Sequence, residues 1–96
     1  MSNMVLVSVF DHAVGEYAPC ICVNSEAAAI RIFTNEVSRY DPNNLLSTNK
    51  IDFSLYVFGE FDLSAGSVYR DPRVLIHGRD ILTFPVDAPY GGTTAK

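Results

Sequence analysis

No signature of catalysis stands in this chain, and the side chains that common chemistries need are scarce. Cysteine occurs twice and histidine twice among 96 residues. Cys20 and Cys22 form a C-x-C pattern with no second C-x-C or histidine-rich partner, which argues against a closed four-ligand metal site within one chain. On a strand the two would share a face with Cα atoms roughly 6.5–7 Å apart, at the edge of disulfide geometry. The expected state is two buried free thiols in a reducing cytoplasm. A cysteine nucleophile would need His12 or His77 as its base, yet neither cysteine adjoins a basic residue or a predicted helix N-terminus that would lower its pKa. His12 falls in a predicted turn and His77 near a strand end, and both read as surface histidines. A phosphate-cradling glycine loop is missing too: Gly91-Gly92 stands alone, and Gly59 and Gly66 fit strand and turn roles. Asp52, Glu60 and Asp62 lie near one predicted hairpin, but a carboxylate metal site needs several oxygens converging on one point. The expectation is a protein without enzymatic activity, metal or cofactor.

Positive charge is also short. Seven Lys and Arg face eleven Asp and Glu, a formal charge of −4, with an isoelectric point near 4.8. That balance argues against a basic nucleic-acid coat, because phosphate neutralisation supplies most non-specific affinity. Long hydrophobic runs are lacking: Val5 to Phe10 is far too short to span a membrane, and Met1 to Met4 carries no basic cluster. A soluble, intracellular protein is expected.

What the chain does have is apolar patterning. Hydrophobic residues make up 48%, enough for a folded globule. The length allows one domain, expected over residues 1–82, followed by a Pro- and Gly-rich tail over 83–96 that reads as extended or disordered. The strongest pattern is Ile51 to Asp62. Phe53, Leu55, Val57 and Phe61 recur at a spacing of two, with Gly59 in register, so a strand would put them on one apolar face. Ser54, Tyr56, Phe58 and Glu60 take the other face. Asp62 to Gly66 reads as a turn, Ser67 to Arg70 as the returning strand, and Arg70-Asp71-Pro72-Arg73 as a break before a short apolar run, Val74 to His77.

Upstream, Met4 to Phe10 is a strand apolar on both faces, hence central. Gly15 closes a turn into a second strand, Tyr17 to Val23, which Pro19 consigns to a sheet edge or a bulge. Asn24 or Ser25 caps a helix whose apolar stripe is Ile30, Phe33, Val37 and Tyr40. Tyr40-Asp41-Pro42 ends it. Residues 41–50 form a polar connector that Leu45 and Leu46 pin to the core. The order β-β-α-β-β predicts an α+β fold, an antiparallel sheet of about four strands with one helix packed on one face.

The remaining functional signal is a surface. Tyr17, Tyr56, Phe58 and Tyr69 would expose rings near one side of the sheet. Such rings stack on unpaired bases or bury against a second subunit. Arg70, Arg73 and Arg79 lie close in sequence and either form a basic patch or pair with Asp71 and Asp80.

Several short motifs carry a family likeness: Val7 to Asp11 (V-S-V-F-D), Ala28 to Phe33 (A-A-I-R-I-F), Asp52 to Tyr56 (D-F-S-L-Y) and Gly59 to Asp62 (G-E-F-D), with Gly66 beyond. In order and spacing the chain resembles, over about residues 5 to 70, the small non-structural protein of gokushoviruses, single-stranded DNA bacteriophages of the microvirus group. The resemblance implies a protein made in the host bacterial cytoplasm and left out of the finished capsid. It further implies a non-enzymatic role in genome replication or packaging, near the switch from duplex replication to single-strand packaging. It assigns no site residues.

Two expectations follow. Single-stranded DNA would run along an aromatic sheet face, held by Arg31, Tyr56, Tyr69, Arg70, Arg73 and Arg79. Alternatively a homo-oligomeric adaptor, self-associating through Tyr56 and Phe58, would bind viral or host replication and packaging proteins without touching DNA. No membrane partner is expected.

Overall fold

A computed structural model describes residues 3–82. The predicted tail, 83–96, and the first two residues lie outside the described part. Five antiparallel strands form one sheet: β1 (Asn3–Asp11), β2 (Glu16–Tyr17), β3 (Ile21–Val23), β4 (Phe53–Asp62) and β5 (Ser67–His77). Helix α1 (Glu26–Ser38) and the short α2 (Leu45–Thr48) connect the two halves. The α+β class and the single main helix are as expected. The strand count is not, because the predicted strand Tyr17 to Val23 is divided.

The division follows from Pro19. The sheet order is β2-β1-β4-β5, and β3 also pairs with β1, so β2 and β3 share one lane beside it. Between them, Pro19 has no amide to donate to a ladder. The chain instead holds β1 through Ala18, whose amide reaches the Val9 carbonyl at 2.8 Å, while the Ser8 hydroxyl donates to the Ala18 carbonyl.

β5 differs in the opposite sense. The break predicted at Asp71-Pro72 does not end the strand: β5 continues through it with a register shift, three steps from Arg70 to Arg73 facing two from Gly59 to Val57. β5 is an edge strand, where a proline at such an irregularity is tolerated.

The Phe58–Gly59 step reorganises the central strand. Leu6 faces Gly59 but Val7 faces Val57, so β4 carries an extra residue there, a β-bulge. Beyond the bulge the faces exchange. Glu60 now pairs with Val5 on the helix side, and Phe61 pairs with Met4 on the other. The single apolar face expected from Phe53 to Phe61 therefore holds only as far as Val57. A second register shift near Leu55 lets both Leu75 and Ile76 of β5 pack on the core.

The core lies between α1 and one sheet face. It comprises Val5, Val7, Val23, Leu55 and Val57 from the sheet, Ala29, Phe33 and Val37 from α1, and Ile81. The helical stripe is thus Ala29–Phe33–Val37. Ile30 packs at its margin, and Tyr40 stands outside the helix at 57% exposure. Arg39 already has extended angles as the C-cap, so the helix ends before Tyr40 can join the stripe. Ser25 is the N-cap, its Oγ accepting from the Ala28 amide at 3.0 Å. Leu46 packs on the core, whereas Leu45 is exposed.

Arg73 fastens β5 to α1. It pairs with Glu26 and also contacts Asp71 at 3.3 Å. The hydrogen bonds from Arg73 hold the Glu26 carboxyl below its usual range, against a smaller opposing effect of burial. A lowered carboxylate pKa contributes stability above the unfolded-state value, about 4.3 for glutamate, that is lost as pH falls through the folded value. Arg73→Ala is expected to lower the urea midpoint slightly at pH 7, and the difference should shrink as pH falls below about 4. The pair is half-exposed, so added salt should shrink the difference as well.

Candidate interaction face

Paired residues in a sheet point to the same side, so the register defines the face away from α1 row by row. Across the sheet the rows are Met4–Phe61–Val68, then Cys22–Leu6–Gly59–Arg70, then Ser8–Tyr56–Val74, then Tyr17–Phe10–Ser54–His77. Neither described α-helix crosses these rows: α1 packs on the opposite side, and α2 packs against α1. The side chains are mostly large and apolar. Arg70 is the one formally charged group in the rows.

An aromatic cluster occupies the last two rows, with Phe58 beside them. Tyr17 reaches across β1, its ring centroid 4.6 Å from Phe10, 5.4 Å from Tyr56 and 5.1 Å from Phe58. The contacts with Tyr56 and Phe58 are edge-to-face, the favourable arrangement of ring quadrupoles. The bulge adjoins this cluster. Phe58 meets Tyr17 on the uncovered side, as alternation with Val57 in the core requires, and the bulge places Gly59 on that side as well. Tyr17 remains 48% exposed, and Val68 and Val74 are exposed on the edge strand.

Below the cluster a buried hydroxyl links two imidazoles. Ser54, 1% exposed, has its Oγ 2.8 Å from His12 Nε2 and 2.6 Å from His77 Nδ1. A hydroxyl carries one proton, so when both rings are neutral one donates to Ser54 and the other accepts from it. The link ties the turn after β1 to the end of β5 across β4. Ser54→Ala is expected to cost about 1–2 kcal/mol in urea unfolding. In a double-mutant cycle with His12→Ala the two losses should fall short of additivity.

The expected DNA ligands do not gather. Tyr56 and Arg70 share the uncovered face, but Tyr69 pairs with Glu60 and Arg73 with Val57 on the helix side. Arg73 is engaged by Glu26 and Asp71, and Arg79 lies 4.0 Å from Asp80. Arg31 projects from α1, exposed. Of the expected self-association pair, Tyr56 and Phe58 are both in the aromatic cluster. Phe10 and Ser54 escaped the sequence reading. The signal for them was the second apolar face of β1, which implied a neighbour on each side but not its identity.

Other chemistry is sparse in the geometry. Cys20 and Cys22 are free and exposed rather than buried, because β3 is on the outer lane of the sheet. Partial burial, and then the nearby Cys22, push the Cys20 thiol up, away from the nucleophilic thiolate. His12 is exposed as expected, but His77 is half-buried. Glu60 accepts from Asn3 Nδ2 at 3.0 Å, and Asp62 caps the turn amides of Ser64 and Ala65. Among the described residues no three His, Cys, Asp or Glu side chains assemble as a metal site. Among them, too, no helix is long and apolar enough to cross a membrane.

A search of the curated proteins and a search of the solved structures each gave no match to this chain. A family model described as "Phage ORF5 protein" matches residues 4–81, which take in every strand and helix described above except the first residue of β1. The chain belongs to the phage ORF5 protein family.

Proposed function

We propose that this phage protein is a non-enzymatic accessory factor in the replication or packaging of a single-stranded DNA genome. It works in the host bacterial cytoplasm as an adaptor to viral or host replication proteins, and its uncovered sheet face is the protein interface on which that role depends. The observation that carries the reading is the make-up of that face: rows of large apolar side chains around the Tyr17–Tyr56–Phe58 cluster, with Arg70 as their single formal charge. Aromatic, charge-poor centres of this kind characterise protein interfaces. The genome-replication role draws on the likeness to the gokushovirus non-structural protein.

A second reading has one observation in its favour. Arg70 lies in the row next to Tyr56 and beside the bulge at Phe58–Gly59, so a base and its phosphate have a ring and a cation within one patch. Fluorescence anisotropy of a labelled single-stranded oligonucleotide separates the two. The adaptor reading expects a flat titration even at low salt. Binding that weakens steeply with salt and is lost in Arg70→Ala would replace it with direct DNA contact.

A further inference from the structure

We infer that the uncovered face takes a second copy of this chain, sheet against sheet, to give a four-layer helix–sheet–sheet–helix dimer. The inference rests on the reading of that face as a protein-binding surface and names its occupant.

Three observations lead to it. The first concerns the edges of the sheet. An exposed edge strand is the usual route for strand-to-strand association, and proline is one of the devices that block it. Here both edges carry one. Pro72 lies in the middle of β5, and Pro19 divides the lane of β2 and β3 on the far side. Association is therefore directed away from the edges and onto the face.

The second is size. β1 has nine residues, and at about 3.3 Å rise and 4.8 Å between strands the four lanes cover roughly 30 by 19 Å before side-chain relief is added. With that relief the patch approaches the roughly 800 Å² per partner of a standard interface. Packing of two such faces about 10 Å apart is the ordinary geometry of a β-sandwich.

The third concerns what else in the chain could cover the face. Residues 83–96 contain only Phe84, Val86 and Tyr90 as large apolar side chains. Near the end of the described residues, Ile81 is buried in the helix-side core, away from this face, and its carbonyl accepts from Lys50 Nζ. Three large side chains cannot cover the rows, whereas a second copy offers a face of equal area and the same character. With the two faces together, Tyr17, Val74 and Val68 lose their exposure.

The test is light scattering of the full 96-residue chain after size exclusion, at several concentrations, for the wild type, Tyr17→Glu, Val74→Glu and the helix-face control Ile32→Glu. Circular dichroism checks that each variant keeps its fold. The expected mass is about 21 kDa, twice 10.6 kDa, for wild type and Ile32→Glu. Each folded face variant should fall to the single-chain mass. A monomeric wild type at every concentration would overturn the dimer, as would a dimer indifferent to both face substitutions. Neither result bears on whether genome replication or packaging needs the face. That is read separately, from phage yield with the same variants, so the dimer and the proposed function fail independently.

Discussion

Gly59→Ala is expected to be the most damaging single substitution in the sheet. Gly59 has φ +147, a backbone conformation that side chains rarely permit, and a Cβ placed there would lie 1.9 Å from the Tyr69 carbonyl oxygen. The obstacle is backbone, not a side chain able to swing aside. To admit a methyl group, β5 must leave β4 or the bulge must revert to regular alternation. Reversion would return Phe61 to the helix side and Glu60 to the other. The loss should be about 4 kcal/mol or more, in the range reserved for a named structural conflict. A small domain has stability of only about 5–15 kcal/mol to lose. Urea unfolding checks it: a midpoint for Gly59→Ala within experimental error of wild type would mean the bulge is not part of the fold.

Phe33→Ala should rank next, at about 3–5 kcal/mol. Phe33 is 3% exposed and stands at the centre of the Ala29–Phe33–Val37 stripe. Its surroundings cannot easily close over the loss. It lines an apolar groove of about 230 Å³ together with Val7, Val9, Val23 and Leu55. Truncation would merge the new void with that groove and open Val7 and Leu55 to water. Ile32, on the same groove but 54% exposed, is the matched control, and Ile32→Ala should change stability by no more than about 0.5 kcal/mol. A Phe33→Ala loss below about 1 kcal/mol would show that the helix is not seated as described.

Much of this fold is legible in the residues themselves. Alternating Val5, Val7 and Val9 against Leu6, Ser8 and Phe10 marks β1 as central, and the helix cap and the β4–β5 hairpin follow from local chemistry. What is not legible depends on neighbours. Whether a proline ends a strand turns on its lane in the sheet: Pro72 is harmless on the free edge, whereas Pro19 interrupts pairing with β1. The bulge at Phe58–Gly59 leaves no mark in the alternation, because Phe61 fits an apolar row on either face. Helical periodicity alone could not choose between Ala29 and Ile30 as the residue facing the sheet. The site shows the same division. Tyr56 and Phe58 are recognisable as aromatics on one face, but the bulge decides that Arg70 joins them while Tyr69 and Arg73 face the helix. The Ser54 link between His12 and His77 joins residues 42 and 23 positions apart, a separation beyond any local pattern.

The central claim is that the face away from α1 is the working surface. Its most direct test is the ratio of single-stranded genomes to duplex replicative form in cells infected with phage carrying Val74→Glu in this gene, beside phage carrying Ile32→Glu. Both substitutions fall on exposed side chains, one on each side of the sheet. The account expects single-stranded genomes to fall and duplex to accumulate with Val74→Glu, and wild-type levels with Ile32→Glu. A normal ratio with Val74→Glu, from protein shown to be folded and present at wild-type amounts, would contradict it.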